Sequence, residues 1–297
     1  MSATAAAPTH PVARVARRLR LPSDVGLLIG VGTLAAMLAL AFLLPVVTGY
    51  GTNEFAGAPY QAPSLSHPFG TDQFGRDVMV RTFAAAKVDY MIAFLAVGVS
   101  LLIGTTIGVV IGVVHGGVVD WLLSRLVDAV IAFPLVILVL ALVVAVGPEK
   151  SAPGLPAGTP ALLIALFVFG WAFYARLAHA QALSLREREF VVAARMMGYS
   201  RTRIVMRHML PNVLATATAY AVGDAVFIIG ATASLAFLGA GVQPPTPEWG
   251  QIMFEARGVL ETAWWTSVFP GLALVVTGLA LALIADGLIQ RLEGGSK

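Results

Sequence analysis

Six apolar stretches, each close to the length of a bilayer crossing, govern what this chain can become. They run over about 25–47, 90–114, 122–146, 161–183, 213–240 and 265–289. A hydrocarbon core of roughly 30 Å takes about 20 helical residues, and backbone inside it must satisfy its own hydrogen bonds. The predicted fold is therefore all-α and integral to the membrane, with six transmembrane helices. Only 12% of the 297 residues are charged, against about 25% in an ordinary soluble domain, and 58% are hydrophobic. Cysteine is absent, which removes disulfides, thiolate metal sites and cysteine nucleophiles from consideration. The formal charge of +3 is too small to argue nucleic-acid binding, so the positions of the arginines matter more than their sum.

Arg14, Arg17, Arg18 and Arg20 precede the first stretch. That basic front resembles a signal peptide, but the apolar run behind it is too long for a signal core, so an uncleaved first helix is expected. Six crossings put both termini on one side, and the excess of arginine before the first helix assigns that side to the cytoplasm. The loop after the fourth stretch carries Arg186, Arg188, Arg195, Arg201, Arg203 and Arg207, and falls on the cytoplasmic side by this count. The loop between the fifth and sixth carries Glu248, Glu255 and Glu261 against Arg257, and falls outside. The expected division is a cytoplasmic tail over 1–24, a first helix with an extracytoplasmic segment over 25–87, and a five-helix domain over 88–297.

The loop over 184–212 stands out for its polarity: "SLREREFVVAARMMGYSRTRIVMRHMLPN". Residues 184–197 are good helix formers, Gly198 can end that helix in a left-handed conformation, Ser200 suits the next N-cap, and Pro211 marks a junction. Two short helices joined by a tight turn are predicted. They carry Val191, Val192, Met196, Met197, Ile204, Val205 and Met209, apolar groups that need a cover. Two covers fit the residues: lipid headgroups beneath an amphipathic connector, or a soluble partner that takes a docking helix.

"AARMMGYSRTRIVMRHMLPN" is similar to the coupling loop of bacterial ABC importer permeases, in which Glu-Ala-Ala is followed after three residues by Gly, then by Ile and Leu-Pro. Ala193, Ala194 and Gly198 match the front of that pattern and Leu210 and Pro211 the back, with Ile204 and Val205 as apolar residues of the second helix. The family's glutamate position is occupied by Val192, with Glu187 and Glu189 nearby. The resemblance implies a type I ABC importer permease fold with a cytoplasmic coupling helix between helices four and five. It also implies that Ala193, Ala194, Arg195, Gly198, Tyr199, Ser200, Arg201, Ile204, Leu210 and Pro211 couple the path to an ATPase.

Further stretches resemble one branch, the dipeptide, oligopeptide and nickel permeases, and within it the C-type subunit. They are "HPFGTDQFGRDVMVR" over 67–81, "DWLLSRLVDAVIAFP" over 120–134, "ASLAFLGAGVQPPTPEWGQIMFEAR" over 233–257 and "WWTSVFPGLALVVTGLALALIADGL" over 264–288. The resemblance implies a B-type second permease subunit, two ATP-binding subunits, an extracytoplasmic solute-binding protein and a peptide substrate, in the bacterial inner membrane.

Each stretch also has a local reading. Asp72, Arg76 and Asp77 can pair with one another in a cap held by Gly70 and Gly75, or face a partner. The prolines of "GVQPPTPEWG" predict a stiff re-entrant or surface loop, and Trp249, Trp264 and Trp265 suit an outer interfacial belt. Arg125 and Asp128 can pair at i, i+3. Asp224, well inside the fifth stretch, is the strongest candidate to line a path or touch another subunit. His179 and His208 lack a second ligand at metal-binding spacing, so no metal site is expected.

No Gly-x-x-x-x-Gly-Lys-Ser/Thr phosphate loop occurs, so the chain is not read as an enzyme, and ATP with its Mg ion would belong to partner subunits. Competing classes fare less well. An ion-coupled secondary transporter would show internal repeats. An intramembrane hydrolase would need a base near Ser100 or Ser234, and a structural scaffold leaves the coupling pattern unexplained. Between peptides and nickel or another small solute, the lack of a clustered ligand set in the spans favours peptides.

Overall fold

The computed structural model describes residues 23–114 and 116–294, and its regular elements among these residues are helices. In chain order they are α1 (Ser23–Thr48), α2 (Val78–Val113), α3 (Val118–Ala132), α4 (Leu135–Val146), α5 (Thr159–Leu185), α6 (Glu189–Met196), α7 (Arg201–Ile204), a π-turn (Val205–Met209), α8 (Leu210–Phe237), α9 (Trp249–Ala256) and α10 (Trp265–Gly294). Five segments are long and apolar enough to cross a membrane on their own, and a sixth crossing exists if the bent pair α3–α4 counts as one. Arg14, Arg17, Arg18 and Arg20, on which the orientation rests, lie outside the described residues.

Two of the expected spans differ. The third is not one helix over 122–146, because α3 and α4 meet at 91°. Pro134 has no amide hydrogen, and its ring forces Phe133 out of the helical region to ψ 132°, which ends α3. The second begins at Val78 instead of about residue 90, and the division expected at 87/88 falls inside it. Its first turns contain Arg81, Lys87 and Asp89, which hide the helix from a hydropathy reading. Arg81 and Asp89 are buried against protein, and Asp77 caps the helix by accepting the Val80 amide at 2.9 Å. At 36 residues α2 is roughly 54 Å long, well beyond one hydrocarbon core.

Close packing centres on α2 and α5. A β-carbon on Gly104 or Gly108 would fall on the carbonyl oxygen of Trp171 or Ala175, and one on Gly112 would lie 2.6 Å from the Ala182 β-carbon. This i, i+4 stripe lets two backbones touch, the usual basis of helix association where lipid offers no hydrophobic drive. Above it, Ile92, Leu162, Leu166, Ile229, Leu235 and Trp249 form the main core. α1 packs on α10, where a β-carbon at Gly30 would meet the Ala280 carbonyl at 2.5 Å. An apolar cavity of about 410 Å³ gathers Leu34, Leu101, Thr218 and Ile284. The start of α1, the end of α2, the start of α8 and the end of α10 therefore share one side, and there Arg291 pairs with Asp24 at 2.8 Å.

At the opposite end, the 49–77 loop and α9 lock together. Arg76 pairs with Asp72 and reaches Glu255 at 2.9 Å, while Asp77 pairs with His67 at 2.9 Å instead of with Arg76. Of the expected three-way pairing the Asp72–Arg76 pair forms, and Arg76 also ties the 49–77 loop to α9. Tyr50 lies against Asp77, and burial together with that carboxylate pushes its hydroxyl up. Glu248 caps α9, accepting the Gly250 and Gln251 amides at 2.8 and 2.7 Å, and burial raises its carboxyl above the ordinary range. Of the three tryptophans expected in an interfacial belt, Trp264 alone is exposed. Trp249 is fully buried with its indole N–H donating to the Thr82 carbonyl at 2.8 Å, and buried Trp265 donates to the Thr71 carbonyl at 3.1 Å.

Candidate functional site

The arginine-rich segment breaks from α5 at residues 186–188 and starts afresh at Glu189. α6 ends as its glycine predicts. Gly198 takes φ +80°, its amide donates to the Arg195 carbonyl at 3.0 Å, and the Tyr199 amide donates to the Ala194 carbonyl at 3.2 Å. These are the two bonds of a Schellman termination, which a left-handed residue makes possible. Ser200 then caps α7, accepting the Arg203 amide at 3.3 Å. The single helix expected over 184–197 is in fact the end of α5, a turn and α6.

Pro211 does not form a junction. α7, the π-turn and α8 run on as one helix over residues 201–237. The proline ring would press on the carbonyl four residues back in a regular α-turn. The widened turn, closed by the Leu210 amide on the Val205 carbonyl, relieves that clash. Asn212 donates its side-chain amide to the His208 carbonyl at 2.6 Å, satisfying an acceptor beside the break.

The segment has two apolar faces. Val191, Ala194, Ile204 and Met209 are buried with Val109, Ala178, Ala182 and Val213, so this face is covered by the chain itself. The other face presents Met196 at 85% and Met197 at 64% exposure, with Phe190, Val192 and Met206 also exposed. Ala193, Arg195, Gly198, Ser200, Arg201 and Pro211 are exposed, and Tyr199 and Leu210 are half-buried. The Arg203 guanidinium lies over the Tyr199 ring at 4.1 Å. Arg195, Arg201 and Arg207 make no ion pair among the described residues. Behind the turn, Arg186, Arg195, Arg201 and Tyr199 rim a cavity of about 360 Å³ with Val113 and Ile204 in its wall. Gly198 has open space around it: no atom lies within 4 Å of a β-carbon built there.

Asp224 lies apart from this segment, midway along α8 and half-buried. The hydroxyl of buried Tyr174 on α5 donates to its Oδ2 at 2.8 Å, and the Tyr220 ring meets the Tyr174 ring edge-on at 5.3 Å. Sequence analysis missed both tyrosines. Tyr220 was legible, standing four residues before Asp224, whereas Tyr174 is reached only through the tertiary fold. Asp128 pairs with Arg125 at 3.5 Å, as its spacing predicts, and also with Arg176.

The chain matches the family described as binding-protein-dependent transport system inner membrane component over residues 104–295. It is 34% identical to the dipeptide transport system permease protein DppC of Alkalihalophilus pseudofirmus, over 90% of this chain and 84% of that one. A putative peptide transport system permease protein of Brucella suis is 37% identical over 95% of this chain and 92% of its own length. The glutathione transport system permease protein GsiD of Escherichia coli O6:K15:H31 is 37% identical over 78% and 73%. The fold resembles the inward-facing MetNI methionine ABC transporter, with a TM-score of 0.57 at 20% identity, covering 72% of this chain and 96% of that one. By its family match and by relatives above 30% identity across most of its length, the chain belongs to the inner membrane components of binding-protein-dependent transport systems.

Proposed function

We propose that this chain is the C-type permease subunit of an ATP-driven importer of di- or oligopeptides. It forms half of the translocation path, with a B-type permease subunit as the other half. Two ATP-binding subunits hold ATP and Mg, and an extracytoplasmic binding protein delivers substrate. The peptide assignment leans on relatives named for dipeptide, peptide and glutathione transport.

The observation that carries the coupling role is the second apolar face around Gly198. Met196 and Met197 are exposed although an inner face of the same segment is fully buried, and exposed apolar groups in such a cluster mark a docking surface. Arg195, Arg201 and Arg207 make no ion pair among the described residues, which suits a soluble protein or the cytoplasmic side of a membrane. With that side cytoplasmic, both termini are cytoplasmic too, because the described ends of α1 and α10 lie at the same end as this segment.

ATP-driven closure of the ATPase pair pushes on the Ala193–Pro211 region, with Gly198 as its turn. The push passes straight into α8, since α7, the π-turn and α8 are one helix. Asp224, on that same helix, sits on the path. The alternating access that follows is a rigid-element rearrangement. The test is ATP-dependent uptake of labelled dipeptides and oligopeptides into vesicles holding the assembled complex, with nickel run in parallel. Peptide uptake supports the proposal, nickel uptake alone moves the substrate, and neither from an intact complex overturns it.

A further inference from the structure

Asp224, midway along the span-length helix α8, has one of its two carboxyl oxygens hydrogen-bonded among the described residues. Oδ2 accepts from the Tyr174 hydroxyl, while Oδ1 has no hydrogen-bond partner among the described residues and is not enclosed by them. No basic side chain pairs with it among the described residues. Around it, α8 presents an open strip: Tyr220, Gly223 and Phe227 are exposed, and nothing lies within 4 Å of a β-carbon at Gly223 or Gly230. An ionisable group facing lipid at this depth is expensive, so the strip borders water or protein. Tyr220, one turn away on the same helix, is 41% exposed and meets the Tyr174 ring edge-on at 5.3 Å.

A carboxylate oxygen with an adjacent aromatic face is the chemistry that recognises an ammonium group, by a charge-assisted hydrogen bond and a cation–π contact. It is a poor metal site, since a hard divalent cation takes several oxygen ligands and one carboxylate is present. The geometry points to Asp224 and Tyr220 as a station on the path for the α-ammonium group of the transported peptide. This rests on the peptide-importer reading. The α-ammonium is the one cation that unmodified peptides share whatever their side chains, so a single fixed carboxylate serves many sequences. Tyr174 is the positioning residue, holding Oδ2 so that Oδ1 stays turned outward.

The test bypasses the binding protein, which has its own selectivity. Saturation-transfer NMR is recorded with dialanine and with N-acetyl-dialanine against the nucleotide-free complex in lipid nanodiscs. Dialanine should give a signal that falls about tenfold in Asp224→Asn, the scale of one lost hydrogen bond to a charged group. Asparagine keeps an acceptor for Tyr174, so the change removes charge and spares the tie between α5 and α8. The signal should survive in Asp224→Glu and fall less in Tyr174→Phe, which frees Oδ2 but keeps the charge, than in Asp224→Asn, and N-acetyl-dialanine should be weak with the unaltered complex. Equal signals for the two peptides, an unchanged Asp224→Asn, no signal from the unaltered complex, or equal losses in Asp224→Asn and Tyr174→Phe would each overturn the assignment. Peptide uptake by the same preparation, once binding protein is added, tests the importer reading separately. Uptake with no Asp224-dependent binding sinks only the station.

Discussion

The Tyr199 amide donates to the Ala194 carbonyl at 3.2 Å, closing the end of α6 across a left-handed Gly198. The bond sets the angle between α6 and the long helix that continues to residue 237, so it fixes how a push on one reaches the other. Open space around Gly198 means that a side chain there is resisted by the left-handed backbone and, on the proposed coupling role, by a docked partner, not by neighbouring atoms of the fold.

Gly198→Trp and Gly198→Glu should insert normally yet lower uptake about tenfold, with strain of roughly 1–2 kcal/mol at the left-handed position and a blocked contact surface. Gly198→Asn should retain most activity, because asparagine tolerates that conformation. Uptake and ATP hydrolysis measured together check this: the tryptophan variant should hydrolyse ATP without uptake. Normal uptake by it would remove the turn from the mechanism.

The α2–α5 contact should be the fold's most size-sensitive seam. Gly108→Leu places a side chain on the Ala175 carbonyl and should cost at least roughly 1–3 kcal/mol, read as a lower unfolding temperature in detergent. Gly230→Ala, with nothing within 4 Å, should stay within about 0.5 kcal/mol of the unaltered chain. Equal tolerance at both positions would contradict the packing described.

Glu248 gives a pH dependence of definite sign. Burial holds its carboxyl above the ordinary glutamate range, with the buried Asp89 carboxyl beside it. A carboxyl raised on folding favours the folded state below its unfolded value of about 4.3, and that contribution is lost as pH rises through the folded value. Thermal stability should therefore decline over that rising window, and Glu248→Gln should flatten the decline. Identical slopes in the two proteins would refute the origin proposed.

Much of this was legible in the sequence, for local reasons. Span number follows from apolar length, and the Gly198 turn with its Ser200 cap follows from residue chemistry within one or two positions. What escaped is non-local or masked. Pro134 signals a break, but an apolar run on both sides conceals it. Arg81 and Asp89 read as loop until the fold supplies Glu255 and the Trp249 amide to receive them. Pro211 reads as a stop because a π-turn that absorbs it leaves no mark in composition. The Tyr174 hydroxyl meets Asp224 from a separate helix, which no spacing announces.

The coupling role can be met most directly by a single cysteine, since the chain has none of its own. Met197→Cys, 64% exposed beside the turn and labelled with a thiol-reactive maleimide that carries a photoactivatable benzophenone, should on irradiation of assembled membranes cross-link to the ATP-binding subunit, with a yield that changes on adding ATP. An adduct to that subunit is the expected result. A cysteine that reacts freely with a soluble maleimide in the assembled complex, yet gives no adduct to any ATP-binding subunit, would contradict the account.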